Sequence, residues 1–137
     1  MHILICIKNL KGPLFTCLSF FQNNGKQFGK KLVQVGIRTL TSYQQEQADK
    51  YRVIIIQCKG FELRKMPKLK GPLYVSIDLD ILGPAFAARV SHHGPGRLST
   101  GQLLVIIQSI NTTIVETDIV EYNPKKGYQW CYRNSNQ

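Results

Sequence analysis

The 137-residue chain has no acidic residue before Glu46. Carboxylates are scarce throughout: 8 Asp and Glu stand against 18 Lys and Arg, for a net charge of +10. Such an excess attracts polyanions without regard to sequence, so nucleic acid is a partner class to weigh. No nucleic-acid motif accompanies the charge, and the basic residues read as decoration of a solvated surface. The densest run, Arg64-Lys65-Met66-Pro67-Lys68-Leu69-Lys70, lies between two apolar runs and reads as a loop.

Cysteine pairs of the CxxC kind are also missing. Cys6, Cys17, Cys58 and Cys131 stand apart, which argues against a zinc site or a small disulfide scaffold. Reduced thiols in an intracellular setting are the simplest reading, with the cytoplasm as the expected compartment. The acid-free beginning has some flavour of a mitochondrial transit peptide, but it carries Lys rather than Arg and few serines. No stretch reaches the ~18–20 apolar residues needed to cross a membrane. Met1 to Ile7 is apolar but too short and too early for a signal sequence. There is no glycine-rich phosphate loop, no HExxH and no Ser-His-Asp order. Internal repeats and low-complexity tracts are absent as well.

What is present fits one domain with a core. Hydrophobic residues make up 43% of the chain, enough for a domain of this size to bury roughly 68–70% of its unfolded surface. Leu32 to Ile37 reads as a strand. Ser42 with Gln45 three residues on is a capping-box pattern that starts a short helix. The β-branched run Val53 to Gln57 suits a strand covered on both faces, and Cys58 follows at its end. Pro72 to Asp80 reads as a third strand, and Gly83 to Arg97 as a long loop. Ser99 with Gln102 is a second capping box. The helix after it carries Leu103, Ile106, Ile107 and Ile110 on one face, and Thr112 to Val120 reads as a fourth strand. This order predicts an α/β domain with a mostly parallel sheet. Functional groups then collect at the carboxyl edge of that sheet, where Asp78, Asp80 and Glu121 fall.

Asp78 and Asp80 are two apart on a predicted strand, and period two puts both carboxylates on one face. Two adjacent carboxylates repel unless a cation lies between them, and hard oxygen-seeking ions such as Mn²⁺ or Mg²⁺ suit the arrangement. The plain alternative is an exposed acidic strand end. Glu121 and Asp118 follow the apolar pair Ile114 and Val115, read as buried. Glu121 can accept two parallel N–H bonds from a guanidinium, although a lone strand-end carboxylate is more often solvated. His92 and His93 are neighbours in the long loop; adjacent side chains there diverge, so one ion rarely uses both.

These stretches resemble the ureohydrolase family of arginases and agmatinases. Leu32 to Thr41 looks like a segment that agmatinases carry, and Gly71 to Asp80 matches the SxDxD signature. Pro84-Ala85-Phe86-Ala87, Val90-Ser91-His92-His93, Pro95-Gly96 and Leu98-Ser99-Thr100 follow in order. Asp118 to Pro124 is similar to the family's DxxExNP. The resemblance covers about residues 30–126, leaving 1–29 and 127–137 diverged, and reads as a single partial domain over 1–137. It implies a three-layer αβα fold with a parallel sheet, the C-terminal part of the arginase-like fold. It implies a pair of Mn²⁺ ions that generate a hydroxide nucleophile and release urea from a guanidino compound. By that carry-over Asp78 bridges both ions, Asp80 holds one, Glu121 holds the guanidinium and His92 lies near the substrate's tail. No catalytic residue beyond these is assigned. The His92-His93 wording looks more like agmatinase than arginase, so agmatine, cleaved to putrescine and urea, is the substrate implied. Oligomers with like chains are implied too.

The departures from the family pattern bear on activity. Motifs of the GGDHS and DAHxD types, which supply the other four metal ligands, have no counterpart, and Lys11 and Gly12 occupy the neighbourhood of an upstream histidine. Gly83 stands where the family has Asp, Ala88 and Arg89 replace Pro-Gly, and Gly94 replaces a Glu. Arg97 replaces the second Gly of a pair, which predicts a strained turn if that position needs a positive φ. Gly101 replaces an Arg and weakens the following helix by ~1 kcal/mol. These losses predict impaired activity; the alternatives are a non-catalytic relic that associates with an intact relative and a small basic nucleic-acid binder. Strands absent from the pattern would leave apolar edges uncovered, which predicts marginal stability.

Overall fold

The computed structural model describes residues 3–7, 31–87, 90 and 94–123. Five strands form one sheet: β1 (Ile3–Ile7), β2 (Lys31–Ile37), β3 (Ile54–Gln57), β4 (Leu73–Asp78) and β5 (Ile114–Val120). Helix α1 (Ser42–Lys50) joins β2 to β3, and α2 (Thr100–Gln108) joins β4 to β5. The strand order is β3-β2-β1-β4-β5, and every pairing is parallel. The α/β reading with a parallel sheet is thereby met. A strand that the helix-and-strand pattern left out, β1, lies at its centre. Its sequence Ile-Leu-Ile-Cys-Ile is the continuous apolar run that parallel sheets favour.

Alternation along the strands supplies two faces. Val33 and Val35 of β2, Ile56 of β3 and Leu73 and Val75 of β4 pack with Leu103 and Ile106 of α2. Leu32 packs on the other face with Tyr51, Val53, Ile55 and Tyr74, so the sheet has apolar cover on both sides. Strict alternation would put Ile37 with Val33 and Val35, yet it packs with Leu32. The reason is a bulge between Val35 and Ile37, with Gly36 at φ 84. An extra residue in a strand turns the next side chain to the opposite face. A Cβ at Gly36 would stand 2.6 Å from Cγ1 of Ile81 and closer still to its Cδ1. Only glycine fits there, on both counts.

Helix starts follow local chemistry. Ser99 caps α2 and pairs reciprocally with Gln102, as the pattern predicts. For α1 the cap is Thr41 with Gln44, one residue before the Ser42–Gln45 pair read from the sequence. Both pairs satisfy the same capping pattern, and the extended conformation at Thr41, with ψ 159, decides between them. Gly101 lies in the first turn of α2, which still runs nine residues.

Strand β5 departs from expectation in its burial. Ile114 is 43% exposed, Val115 53% and Ile119 63%, so the apolar run read as buried is open to solvent. It is the sheet's edge strand, and no described element covers its outer side.

Candidate functional site

The chain runs outward through β1, β2 and β3, then crosses back to place β4 on the other side of β1. Such a reversal opens a crevice at the carboxyl ends of the two strands that flank it, here β1 and β4. Asp78 ends β4 and is 2% exposed; Asp80 is 4% exposed. The spacing argument that put both on one strand face fails in its geometry. β4 stops at Asp78, and Leu79–Ile81 is a 3-10 turn. The Oδ1 atom of Asp78 accepts the N–H of Asp80 at 2.9 Å and caps that turn. The carboxylates are therefore brought together by a turn that one of them nucleates, in place of strand periodicity. They are also buried, which sets aside the exposed strand end as a reading of the pair.

The return of the long loop shapes the rest. Gly83 donates to the Leu98 carbonyl at 3.0 Å, and Leu98 donates to the Ile81 carbonyl at 3.1 Å. These bonds draw residues 94–98 against the 3-10 turn. Arg97 is delivered by that closure, and its Nη1 donates to the backbone carbonyl of Asp80. Its Nε and Nη2 are buried with no hydrogen-bond partner among the described residues. Burial pulls the Arg97 guanidinium below its ordinary value and the charge of Arg38 acts the same way, while the charges of Asp80 and Asp78 act to hold its proton. The positive φ of the turn falls on Gly96, at 73, and Arg97 is not among the residues with positive φ. The strain expected at Arg97 is thus absent, because its glycine neighbour absorbs it.

Arg38 and Cys58 complete the neighbourhood. Arg38 follows β2 and Cys58 follows β3, both at the carboxyl edge. A Cβ at Gly94 would overlap Nη1 of Arg38 and lie 3.4 Å from Nη2 of Arg97, so two guanidinium groups converge on a residue without a side chain. The thiol of Cys58 donates to the Gly36 carbonyl at 2.9 Å. Burial pushes that thiol up, opposed by the N–H of Leu98 and by the charges of Arg97 and Arg38. Arg97 entered the sequence reading only through turn strain, and Arg38 only within the stretch Leu32 to Thr41. Their signal was an Arg in a Gly-Pro-Gly loop and a Gly in place of an acid.

Glu121 lies one residue past Val120, the register partner of Asp78. It is exposed, with φ 63, a left-handed conformation uncommon outside glycine. Three of the candidate acids therefore share one sheet edge. One oxygen of Asp118 is buried without a hydrogen-bond partner among the described residues. His92, and His93 beside it, lie outside the described residues. A cleft of about 380 Å³ lined by Leu63, Met66, Pro67, Lys68, Leu69 and Asn111 sits at the opposite end of β4 and holds none of the candidate residues.

A pair of manganese ions needs more ligands than two carboxylates. Among the described residues no three His, Cys, Asp or Glu side chains come together. The described residues do not fit a binuclear metal centre.

Comparison with known proteins gives a consistent picture. The arginase family model matches residues 11–130. The mitochondrial arginase of Medicago truncatula is 40% identical over 107 residues, which cover 72% of this chain and 31% of that protein. A solved structure of an arginase from Medicago truncatula has a TM-score of 0.69 at 31% identity, over 94% of this chain and 46% of that one. A triple mutant of the T. brucei arginase-like protein, bound with Mn²⁺, has a TM-score of 0.76 at 25% identity, over 91% and 43%. The agmatinase of Bacillus anthracis is 40% identical over 63 residues, 43% of this chain and 22% of that protein. The chain thus spans about a third of the length of the curated arginases it matches.

Proposed function

The chain belongs to the arginase family, and from that premise we propose that it carries only part of a guanidino-hydrolase site and releases little or no urea by itself. The observation that carries this reading is the setting of Asp78 and Asp80. They are buried together at the crevice end of β4, yet among the described residues no third metal-ligating side chain joins them. Glu121, at the same edge, is the group assigned to a guanidinium, and His92 the one assigned to the tail of the substrate. Agmatine is the substrate favoured by the His92-His93 wording. Arginine is its rival, because the Medicago relative is an arginase. That relative is also described as mitochondrial, which supports a mitochondrial setting beside the cytoplasmic one. No helix among the described residues is long and apolar enough to cross a membrane.

The test is urea release from agmatine and from arginine, with Mn²⁺ added, by folded wild-type chain and by an Asp78→Asn/Asp80→Asn variant. Equal, background release from the two proteins is expected. Release that depends on the two aspartates sinks the reading.

A second reading has its own observation. β5 is an edge strand with Ile114, Val115 and Ile119 exposed, and open edges with apolar side chains invite pairing. We infer association with an intact family member or with like chains. Co-purification with a full-length arginase-family protein, lost on Ile119→Lys, is the expected result; a strictly monomeric chain that captures none counts against it.

A further inference from the structure

We propose that the cleft at the amino end of β4 binds a small amphiphilic anion, a carboxylate or phosphate carried on a hydrocarbon body, with Lys68 and Lys70 holding its charged head. The cleft measures about 380 Å³, and Leu63, Met66 and Leu69 give it an apolar lining. Small-molecule sites span roughly 300–1,000 Å³. Met66 and Leu69 are half-buried against the main core, whereas Lys68 and Lys70 are exposed. The segment that carries them is tied at both ends. At its start the Met66 N–H donates to the Leu63 carbonyl at 2.9 Å. At its end the Thr112 hydroxyl donates to the Gly71 carbonyl at 2.9 Å, and the Leu73 N–H donates to the Thr113 carbonyl at 2.8 Å. Those bonds set the segment beside the turn after α2, which brings Asn111 into the lining.

The cations of this run are not equivalent. Glu62 engages two of them: Arg64 bonds it through Nε, and Lys65 Nζ stands 3.0 Å from it. Lys65 also donates to the Gly60 carbonyl at 3.0 Å. Lys68 and Lys70 have no side-chain ion pair or hydrogen bond among the described residues, and they are the two cations that line the cleft. No acidic residue among the described ones lines it. The carboxyl end of α2 brings about half a negative charge nearby, against two full positive ones, so the cleft favours an anion. The Ser109 hydroxyl is already spent on the Ile106 carbonyl at 2.6 Å, which leaves the exposed Asn111 amide as a further donor. A bare inorganic ion would leave the apolar lining in water, and each methylene buried there is worth about fourfold in affinity. An uncharged apolar ligand would leave the two lysines unused. Both features together select an amphiphile.

The cleft shares no residue with the carboxyl edge of the sheet, so the inference is independent of the hydrolase reading. The test is an NMR titration of the folded full chain, followed at its backbone amides, with octyl phosphate, inorganic phosphate and octyltrimethylammonium. Octyl phosphate should saturate with a Kd on the order of 0.1–1 mM and shift the amides of residues 63–70 and 109–111. Inorganic phosphate and the cationic amphiphile should each bind at least about tenfold more weakly. Lys68→Gln/Lys70→Gln should weaken octyl phosphate on the order of tenfold. Arg64→Gln/Lys65→Gln removes the same charge outside the lining and should leave binding within about twofold. Leu63→Gln, at a position 39% exposed, should weaken it about threefold or more. Equal losses in the two double variants, equal binding of the cationic amphiphile, or no saturation below about 10 mM overturns the proposal. If Lys68→Gln/Lys70→Gln does not fold, Leu63→Gln decides: weaker octyl phosphate binding supports the site, and unchanged binding overturns it. A single-stranded oligonucleotide that binds more tightly than octyl phosphate, and is weakened alike in both double variants, overturns it in favour of diffuse attraction for polyanions. Capture by phosphatidylglycerol vesicles, with octyl phosphate shifting no amide of the cleft, overturns it in favour of a membrane surface.

Discussion

Replacing Gly36 with Ala tests the bulge that sets the geometry of the carboxyl edge. The residue sits at φ 84, where an L side chain costs about 1–2 kcal/mol. Its new Cβ would lie 2.6 Å from Cγ1 of Ile81 and nearer to Cδ1. Ile81 is fully buried, so its end has nowhere to swing, and overpacking of this kind costs about 1–3 kcal/mol. The two effects together remove about 2–5 kcal/mol, a large share of the ~5–15 kcal/mol that holds a typical domain. Each kcal/mol moves the midpoint of a domain this size by roughly 2–8 °C, so Gly36→Ala should melt roughly 4–40 °C lower. Thermal and urea unfolding followed by circular dichroism read this directly. Ile81→Val removes Cδ1 and should shrink the penalty of Gly36→Ala without abolishing it, because the backbone cost remains. A Gly36→Ala protein within about 0.5 kcal/mol of wild type, or a penalty untouched by Ile81→Val, refutes the reasoning.

Other substitutions probe separate parts of the fold. Gln34 is fully buried, and neither side-chain polar atom has a hydrogen-bond partner among the described residues. Gln34→Leu should therefore raise stability by about 1–3 kcal/mol in urea unfolding; a loss means that the amide is satisfied. Ser99→Ala removes the cap of α2 and should cost about 1 kcal/mol, visible as a lower urea midpoint with an unchanged slope. The Cys58 thiol is raised above its ordinary 9.0, first by burial. A raised folded-state value means that its contribution is intact below about pH 9 and is lost as pH climbs through the folded value. Cys58→Ser should flatten the alkaline fall in stability, and an unchanged pH profile argues against a buried thiol.

The sheet was legible where burial leaves a pattern on the sequence. Val53 to Gln57 and Pro72 to Asp80 read as strands because both faces are covered, and Ser99 with Gln102 marked α2 to the residue. β1 was passed over because its apolar run was weighed only as a signal sequence, for which it is too short, and not as a strand. The turn at Leu79–Ile81 was hidden by a side-chain bond from Asp78 to the Asp80 N–H, which period-two reasoning does not include. Ile114 and Val115 looked buried because a β-branched run has the same sequence at an edge as at the centre. The placement of Arg97 lay outside any local pattern: it depends on Leu98 bonding to Ile81 across the loop and on the missing side chain at Gly94. Such long-range closures follow from topology, and a linear reading meets only an unexpected arginine.

The central claim is that this arginase-family chain holds its two buried aspartates without a resident pair of metal ions. Equilibrium titration of the purified, folded wild-type chain with Mn²⁺, counting free ion by electron paramagnetic resonance, tests it most directly. The account predicts weak uptake well short of two ions per chain, with none of the stabilisation that a site ligand gives. Tight uptake of two ions per chain, lost in Asp78→Asn/Asp80→Asn, contradicts it.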